Sequence, residues 1–407
     1  MRIPLASSGL RPQDIQAAVD TLNSGNLTMG AKVKSFEQKV AEYIGVKHFI
    51  MTNSGSSANL AIFEALLRPS KGSPALRKGD GVLVPAIAWP TTIWPIVQLG
   101  LEPIFVDVDA NTIGMDLGLA RIAIANSKAP VRAIFPIHPL GLTLNQIELT
   151  DFAKEFDLVL INDTCESLGS WRDGQHAGTA GVASSFSFYF SHHITTMEGG
   201  GVGTNDDAFA DDLRAIRSHG WSRDRSDVLD WTSGVSLTDS KFLFVTTGYN
   251  IRPMEIQAAI GINQIADIDF FVSKRRSIAL RVYSALKGTN LEVIDGGAFT
   301  TDVKSHSWML IPIRVLGEDS KGKKHEILKY LENLGIETRP VLTGNFLAQP
   351  SMNRIDGDHP PAADFEAATE ITENCFLVGA HHDLTDEQVD FLAKSLRICA
   401  ESMVEHK

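Results

Sequence analysis

The sequence predicts an α/β protein with a large domain built on a mainly parallel sheet and a smaller α+β domain at its carboxyl end. Two observations predict this class. Short apolar runs alternate with segments of helical periodicity in the first half of the chain, and this alternation favours a parallel sheet with helices on both faces. The chain also has 407 residues, which is more than one ordinary domain uses.

The elements of the large domain follow in order. Apolar residues at helical spacing predict helices at 11–22 and 35–43, and the stretch 48–67 predicts a strand, a turn of small residues and a helix. Four more strands are predicted at 81–89, 102–109, 132–139 and 158–164. Because parallel sheets bind ligands at the carboxyl ends of their strands, the residues after each run are candidate site residues.

A long helical stretch at 254–286 predicts the passage into the smaller domain. We therefore expect a large domain at 1–265 and a small domain at 266–407. The elements expected in the small domain are a strand at 307–315, a helix near 323–334 and a helix at 385–403. The segment 345–362 predicts a long loop, and a long loop in a compact domain is more often functional than idle.

The composition argues against several classes of function. A net charge of −12 argues against a nucleic-acid surface, and no apolar run approaches the roughly 20 residues that span a bilayer. The cysteines Cys165, Cys375 and Cys399 are too widely spaced for a zinc ribbon or an iron–sulfur cluster, and their odd number suits a reducing cytosol. We expect a cytoplasmic enzyme without a metal, a nucleic-acid partner or a membrane partner.

Two features suggest a cofactor. Gly55, followed by Ser56 and Ser57 at a predicted helix start, offers amide groups, hydroxyls and a positive dipole end to a phosphate, although a plain N-cap explains the same residues. Asp163 ends a predicted strand, where it either caps a helix or holds a protonated ring nitrogen. Together they suggest pyridoxal phosphate, whose pyridinium needs an acidic partner. Trp89 follows another strand and either stacks on that ring or packs in the core.

Five longer segments make this interpretation specific. In chain order they are SGSSANLAIFEAL, LINDTCESLGSWRDGQHAGTAGVASSFSFYF, MEGGGVGTND, RSHGWSRD and TGYNIRPMEIQAAIGINQI. Their order resembles the nucleotide-sugar aminotransferases of the DegT/DnrJ/EryC1/StrS family, over nearly the whole chain. The resemblance implies the PLP-dependent transferase fold type I, the aspartate aminotransferase-like fold, with pyridoxal 5'-phosphate or pyridoxamine 5'-phosphate as cofactor.

The resemblance also implies a set of cofactor-binding residues. They are Gly55, Ser56, Ser57, Trp89, Asp163, Glu166, Ser187 and Asn250. Asp163 would pair with the pyridine nitrogen, Ser187 would bind the phosphate, and Trp89 would cover the ring. Asn250 would reach the phosphate of a neighbouring subunit, which implies a homodimer with shared active sites. Glu166 stands where many members of the family have a glutamine near the ring hydroxyl.

One position departs from the family pattern. That pattern is a serine, four residues and a lysine, with an acidic residue six positions further on before two glycines. Ser187 and the segment 198–200 (EGG) are in register, but the lysine position is His192, and no lysine occurs between residues 155 and 240. An imidazole forms no stable imine with pyridoxal, yet it can act as a base near neutral pH. We therefore expect His192 to be the catalytic residue.

Histidine at this position resembles the sugar 3-dehydratases of the family. The resemblance implies removal of the 3-hydroxyl from a nucleotide-linked 4-keto-6-deoxyhexose, with GDP as the favoured nucleotide, L-glutamate as amino donor and ammonia as by-product. The cysteines do not support the subtype that needs an iron–sulfur reductase partner. Two alternatives remain: a 4-aminotransferase that tolerates histidine, and a non-catalytic protein that binds pyridoxal phosphate or a nucleotide sugar.

Three residues are candidates for substrate binding. Arg339 suits the carboxylate of glutamate or the diphosphate of the sugar, because its planar fork binds such groups at two points. Glu337 would share its face if the segment is a strand, although an exposed ion pair of the two is the plain alternative. His219 lies in the segment RSHGWSRD and is expected on a loop at the substrate side.

Overall fold

The computed structural model describes residues 1–73, 75–355 and 359–402. The helices are α1 (Pro12–Ser24), α2 (Ala31–Ile44), α3 (Gly55–Leu67), α4 (Pro90–Gln98), α5 (Leu117–Asn126), α6 (Gln146–Glu155), α7 (Asp207–Ile216), α8 (Val228–Thr232), α9 (Glu255–Ala266), α10 (Ile268–Leu286), α11 (Ser320–Asn333), α12 (Glu366–Asn374) and α13 (Asp386–Ser402). The strands are β1 (His48–Thr52), β2 (Gly81–Pro85), β3 (Glu102–Val106), β4 (Val131–Ile134), β5 (Val159–Asp163), β6 (Trp171–Arg172), β7 (Gln175–His176), β8 (Ala183–Ser187), β9 (Gly200–Thr204), β10 (Leu291–Val293), β11 (Leu310–Val315), β12 (Thr338–Arg339) and β13 (Cys375–Gly379).

A seven-stranded sheet forms the large part of the molecule, in the order β1-β9-β8-β5-β4-β2-β3. The pairs from β8 to β3 are parallel, whereas β9 is antiparallel to both of its neighbours. Strand β2 (GVLVP) is buried along its whole length, as expected for a strand covered by helices on both faces. The predicted α/β class with a mainly parallel sheet is therefore confirmed.

The predicted helices and strands of this part are found, with shifts of a few residues at their ends. The long helical stretch at 254–286 proves to be two helices, α9 and α10, with Asp267 between them. The four predicted strands at 81–89, 102–109, 132–139 and 158–164 are all present but shorter. The predicted runs extend past the observed strand ends, and of the residues beyond those ends Trp89 and Ile137 line the pocket described below.

A second sheet has the order β10-β11-β13-β12, with each pair antiparallel, and a core of its own lies between this sheet and helices such as α10 and α13. Ile3 belongs to this core and pairs with Ile336, so the first residues of the chain lie with the small sheet. The domain boundary at residues 265 and 266 stays a prediction.

The segment 345–362 contains short 3-10 turns, at Phe346–Ala348 and Pro350–Arg354. Its residues 356–358 lie outside the described residues, as does residue 403 at the end of the last predicted helix. The described helices include none with the length and apolarity needed to cross a membrane.

Candidate active site

A pocket of about 290 Å³ opens where the carboxyl ends of β2, β4, β5 and β8 meet. Eight of the predicted site residues line it: Gly55, Ser56, Trp89, Asp163, Glu166, Ser187, His192 and Arg339. The large sheet brings most of them together because its strand ends share one edge, whereas Arg339 comes from β12 of the second sheet.

Asp163, the last residue of β5, is buried in the pocket and accepts hydrogen bonds on both carboxylate oxygens. Thr92 Oγ1 and Asn59 Nδ2 donate to its Oδ2 over 2.7 and 3.0 Å, and the amide of Cys165 donates to its Oδ1 over 3.1 Å. These bonds hold the carboxylate in place at the end of β5. A carboxylate buried in this way is the group that a protonated ring nitrogen requires.

The first turn of α3 forms another part of the pocket wall. Ser54 caps the helix, and its Oγ accepts from the amide of Ser57. A Cβ on Gly55 would lie 2.7 Å from the Cβ of Ser187 and 2.9 Å from the Sγ of Cys165, so a glycine is needed for this close approach. The helix start, Ser56 and Ser187 therefore leave open a cradle of the kind that binds phosphate.

His192 lies in the loop between β8 and β9, half-buried in the pocket wall. Its amide donates to the carbonyl of Tyr189, and its carbonyl accepts from Arg275. Its Nδ1 is buried and has no hydrogen-bond partner among the described residues. Loss of hydration lowers the pKa of His192 well below its usual range, and the positive charges of Arg339 and Arg275 lower it further. The imidazole is therefore neutral and able to accept a proton.

Glu166 and Arg339 contribute two charged side chains to the pocket wall, and Arg339 comes from β12 of the second sheet. The Oε2 of Glu166 accepts from the amide of Leu140. Burial raises the pKa of Glu166, and the charge of Arg339 opposes that rise. In the described part of the chain the buried Nε of Arg339 has no acceptor, so this side chain has donor capacity left for an anionic ligand.

A family profile for "DegT/DnrJ/EryC1/StrS aminotransferase family" matches residues 9–397. The chain belongs to the DegT/DnrJ/EryC1/StrS family. It is 35% identical over 399 residues to a Yersinia pseudotuberculosis protein named GDP-4-keto-6-deoxy-D-mannose 3-dehydratase, covering 98% of each chain. The family assignment made from the sequence motifs is thus confirmed.

Two solved structures of GDP-4-keto-6-deoxymannose-3-dehydratase superpose on this family member. One is a mutant with bound GDP-perosamine, at a TM-score of 0.88 and 34% identity, covering 97% of this chain and 100% of that chain. The other holds a trapped PLP-glutamate geminal diamine, at a TM-score of 0.85 and 33% identity, covering 97% of this chain and 100% of that chain. The expected PLP-dependent transferase fold is confirmed.

Four of the predicted site residues lie elsewhere in this subunit. Ser57 faces Ser54 at the helix cap and does not line the pocket. Glu337 is partly exposed and pairs with Arg2 over 2.7 Å, with its Oε2 bound to the amide of Leu5. This pair, with Arg2 in place of Arg339, is the surface interaction that the sequence had left as an alternative.

His219 and Asn250 are both exposed and lie close together on the surface. Each sits in the bridge that joins residues 218–219 to residues 249–250, where the amide of His219 donates to the carbonyl of Tyr249. The Oδ1 of Asn250 accepts from Arg252. A residue that contacts a second subunit must be exposed in the single chain, and both of these residues are exposed.

The sequence analysis missed several residues of the site. Thr92 and Asn59 hold Asp163, and Tyr189, Ser191 and Glu198 line the pocket. Asn59 falls within the motif SGSSANL, three residues after Ser56, and could have been considered because that spacing places both on one side of a helix. Thr92 carries no comparable signal, because only the fold brings α4 beside β5.

Proposed function

We propose that this protein is a PLP-dependent dehydratase that removes the 3-hydroxyl group of a GDP-linked 4-keto-6-deoxyhexose, with L-glutamate as amino donor and ammonia as by-product. One observation carries the proposal. The pocket contains the residues that suit pyridoxal phosphate, and a histidine occupies the lysine position of the family motif. No lysine is found among the described residues that line this pocket.

The fit to pyridoxal phosphate rests on two features of the structure. A side chain at Gly55 would collide with Ser187 and Cys165, so the glycine lets the helix start lie directly beside Ser187, and the Asp163 carboxylate is held in the pocket by its hydrogen bonds. Ser187 and the amides of the helix start would hold the phosphate, while Asp163 would hold the ring nitrogen. Trp89 is half-exposed at the pocket and would cover the face of the ring. The structure with the trapped PLP-glutamate adduct supports the same cofactor and the same amino donor.

In its amine form a bound cofactor would supply the nitrogen that reacts with the sugar ketone and a ring able to accept electrons. His192 would act as the general base that accepts the proton in this reaction. The anionic phosphates of a bound cofactor and substrate would oppose the effect of the Arg339 charge on the pKa of His192. The protonated imidazole then delivers its proton to the departing hydroxyl, which leaves as water.

Arg339 and Glu166 would govern binding rather than proton transfer. The free Nε of Arg339 and its position beside the pocket suit a carboxylate or a diphosphate. Glu166, whose pKa is raised by burial, would bind the oxygen of the cofactor ring through a hydrogen bond. The relatives named for a GDP sugar support GDP as the nucleotide.

We further propose that the enzyme acts as a homodimer in the cytoplasm. Asn250, exposed in one subunit, would complete the phosphate site of the other, and His219 beside it would face the same substrate. Phe242 and Phe244 are exposed in this segment, and burial of such apolar side chains against a second copy would stabilise a dimer. The three cysteines are free, which suits a reducing compartment.

The test uses purified protein, pyridoxal phosphate, L-glutamate and 4-keto-6-deoxy sugars carrying GDP, CDP, UDP or dTDP. Ammonia release and product mass are followed together. The proposal predicts ammonia and loss of the 3-oxygen, with the GDP sugar as the best substrate. A stable amino sugar without ammonia would instead establish an aminotransferase. Binding of the cofactor or the sugar with no conversion would establish a non-catalytic protein.

A further inference from the structure

Arg275 lies on α10, outside the pocket, and is buried, with 2% of its surface exposed. Its guanidinium binds three main-chain carbonyls. One nitrogen, Nη1, donates to the carbonyls of Met309 and Trp308 over 3.0 and 3.3 Å, and the other, Nη2, donates to the carbonyl of His192 over 3.1 Å. A planar fork with several donors is suited to fix carbonyls on two separate segments at once.

The two segments joined in this way both form the pocket wall. His192 and Met309 line the pocket, one from the loop after β8 and the other from the residue before β11. Because the amide of His192 is already bound to the carbonyl of Tyr189, the bond from Arg275 engages the remaining polar group of its backbone. The peptide planes on both sides of the His192 Cα are thus held, and the direction of the imidazole depends on them.

The charge of Arg275 is unusual for so buried a side chain. Within the described residues no carboxylate lies within 4.0 Å of its guanidinium, and burial lowers its pKa to about 10. It therefore stays protonated at neutral pH. A buried cation without a paired anion is unfavourable for folding, so packing alone does not account for it.

We propose that Arg275 is a positioning residue for His192, which aims the imidazole into the pocket through its hydrogen bond to the His192 carbonyl. The proposal rests on the role of His192 in the proposed function. The hydrogen bond to the His192 carbonyl is a geometric effect of Arg275. The positive charge of Arg275, which lowers the pKa of His192, is an electrostatic effect. Different substitutions of Arg275 remove the two effects.

Few positively charged groups act on the pKa of His192. The cations that lower the pKa of His192 are Arg339, from β12, and Arg275, from α10. The other titratable groups of the pocket are Asp163, Cys165, Glu166, Tyr189 and Glu198, and His193 is the next residue in the chain. Around Arg275 itself the titratable groups are His193, His381, His382 and Asp383.

Two variants of Arg275 and one matched control test the proposal. R275K keeps the charge but loses the fork, so we expect kcat to fall about tenfold or more with the acid limb of the pH profile unchanged. R275Q loses the charge as well, so the acid limb of kcat/KM should move to higher pH, because the imidazole is protonated more readily. R276Q is the control, since Arg276 also binds three carbonyls, those of Gly169, Lys304 and His306, and does not reach His192.

A second readout does not depend on turnover. In protein labelled with ¹⁵N-histidine, the ring signals of His192, assigned through H192Q, should titrate at higher pH in R275Q than in the wild type or in R276Q. The proposal is overturned if R275Q leaves both the titration and the acid limb unchanged, or if R276Q shifts them equally. A wild-type protein that converts no sugar would refute the proposed function instead, while the titration would still test Arg275. Thermal melting of each variant identifies a loss of folding.

Discussion

Thr92 Oγ1 donates a hydrogen bond of 2.7 Å to the Oδ2 of Asp163, which makes a threonine of α4 a support for the aspartate at the end of β5. The Oδ1 of the same carboxylate has a weaker contact, with Ser185 Oγ at 3.4 Å. A hydrogen bond to a charged acceptor contributes about 1.5–3 kcal/mol. The bond from Thr92 should therefore stabilise the Asp163 carboxylate, and the longer contact with Ser185 should contribute little.

We therefore predict that T92V weakens binding of pyridoxal phosphate about tenfold, since valine keeps the shape but not the donor. S185A, the matched control, should change the affinity less than about twofold. Fluorescence titration of the cofactor measures both. Equal affinities for T92V and the wild type would show that Asp163 needs no support from α4.

The two adjacent serines of α3 should behave differently. Ser56 lines the pocket and bonds to Thr91 Oγ1 over 2.8 Å, whereas Ser57 bonds to Ser54 at the helix cap. We predict that S56A raises the dissociation constant of the cofactor about fivefold to tenfold and that S57A leaves it unchanged. Dialysis against increasing cofactor concentrations, with the bound fraction read by absorbance, tests this. A larger loss in S57A would place that hydroxyl in the phosphate site.

Arg339 and Glu337 are two residues apart in the sequence but should differ in their effect on turnover. Arg339 lines the pocket, and Glu337 pairs with Arg2 at the surface. We predict that R339Q lowers kcat/KM by about tenfold to a hundredfold, mostly through KM, because a charge-assisted contact to an anion is lost. E337Q should stay within about twofold, and its cost in stability should be below about 1 kcal/mol, as for other exposed ion pairs. A large loss of activity in E337Q would contradict this.

The site residues that stand at the ends of strands could be predicted from the sequence, and the reason is physical. Gly55 and Asp163 stand at the junctions of predicted strands with a helix or a loop, and hydrophobic periodicity reveals such junctions, whereas Ser187 comes from the resemblance to the family. Parallel topology then places them at one edge of the sheet without further information. The family motifs add His192, because its distance from Ser187 is fixed within a single segment.

The side chains that depend on packing between distant segments could not be predicted in this way. Arg275 looks like one more charged residue on a helix, and only the fold shows that its guanidinium reaches the carbonyl of His192. The pairing of Glu337 with Arg2 spans 335 positions and depends on how the first residues join the small sheet. Asn250 and His219 are exposed, and their roles at the site belong to the proposed dimer.

Restoring the lysine of the family motif gives a direct test of the position of His192. We predict that H192K forms a covalent bond to pyridoxal phosphate, seen as a new absorbance band and trapped by borohydride, because the amine would enter the same pocket. Ammonia release should fall by at least about a hundredfold. H325K, at an exposed position on α11 outside the pocket, is the control and should trap no cofactor. A borohydride-trapped bond in the wild-type protein would show that another residue occupies the lysine position.

Buried histidines should make the fold sensitive to acid. His176 is fully buried, its Nε2 accepts from the amide of Gly169 over 2.8 Å, and its Nδ1 bonds to the carbonyl of Ala177. Burial lowers the pKa of His176 to about 4, whereas an unfolded histidine has a pKa of about 6.5. Between these values the unfolded state binds more protons, so this part of the stability is complete above about pH 6.5 and is lost as the pH falls towards 4, by up to about 1.4 kcal/mol per pH unit.

We therefore predict that H176Q reduces the dependence of the free energy of unfolding on pH between about 6.5 and 4.5, although it lowers the free energy itself at neutral pH. Glutamine cannot be protonated in this range, so one source of the pH dependence disappears. H325Q, at an exposed position on α11, is the matched control and should leave the slope nearly as it is in the wild type. Urea titrations at several pH values give the slopes. If H176Q kept the wild-type slope, protonation of His176 would not be coupled to unfolding, and the acid sensitivity would arise from other groups such as His138, which is also buried with its pKa lowered to about 4.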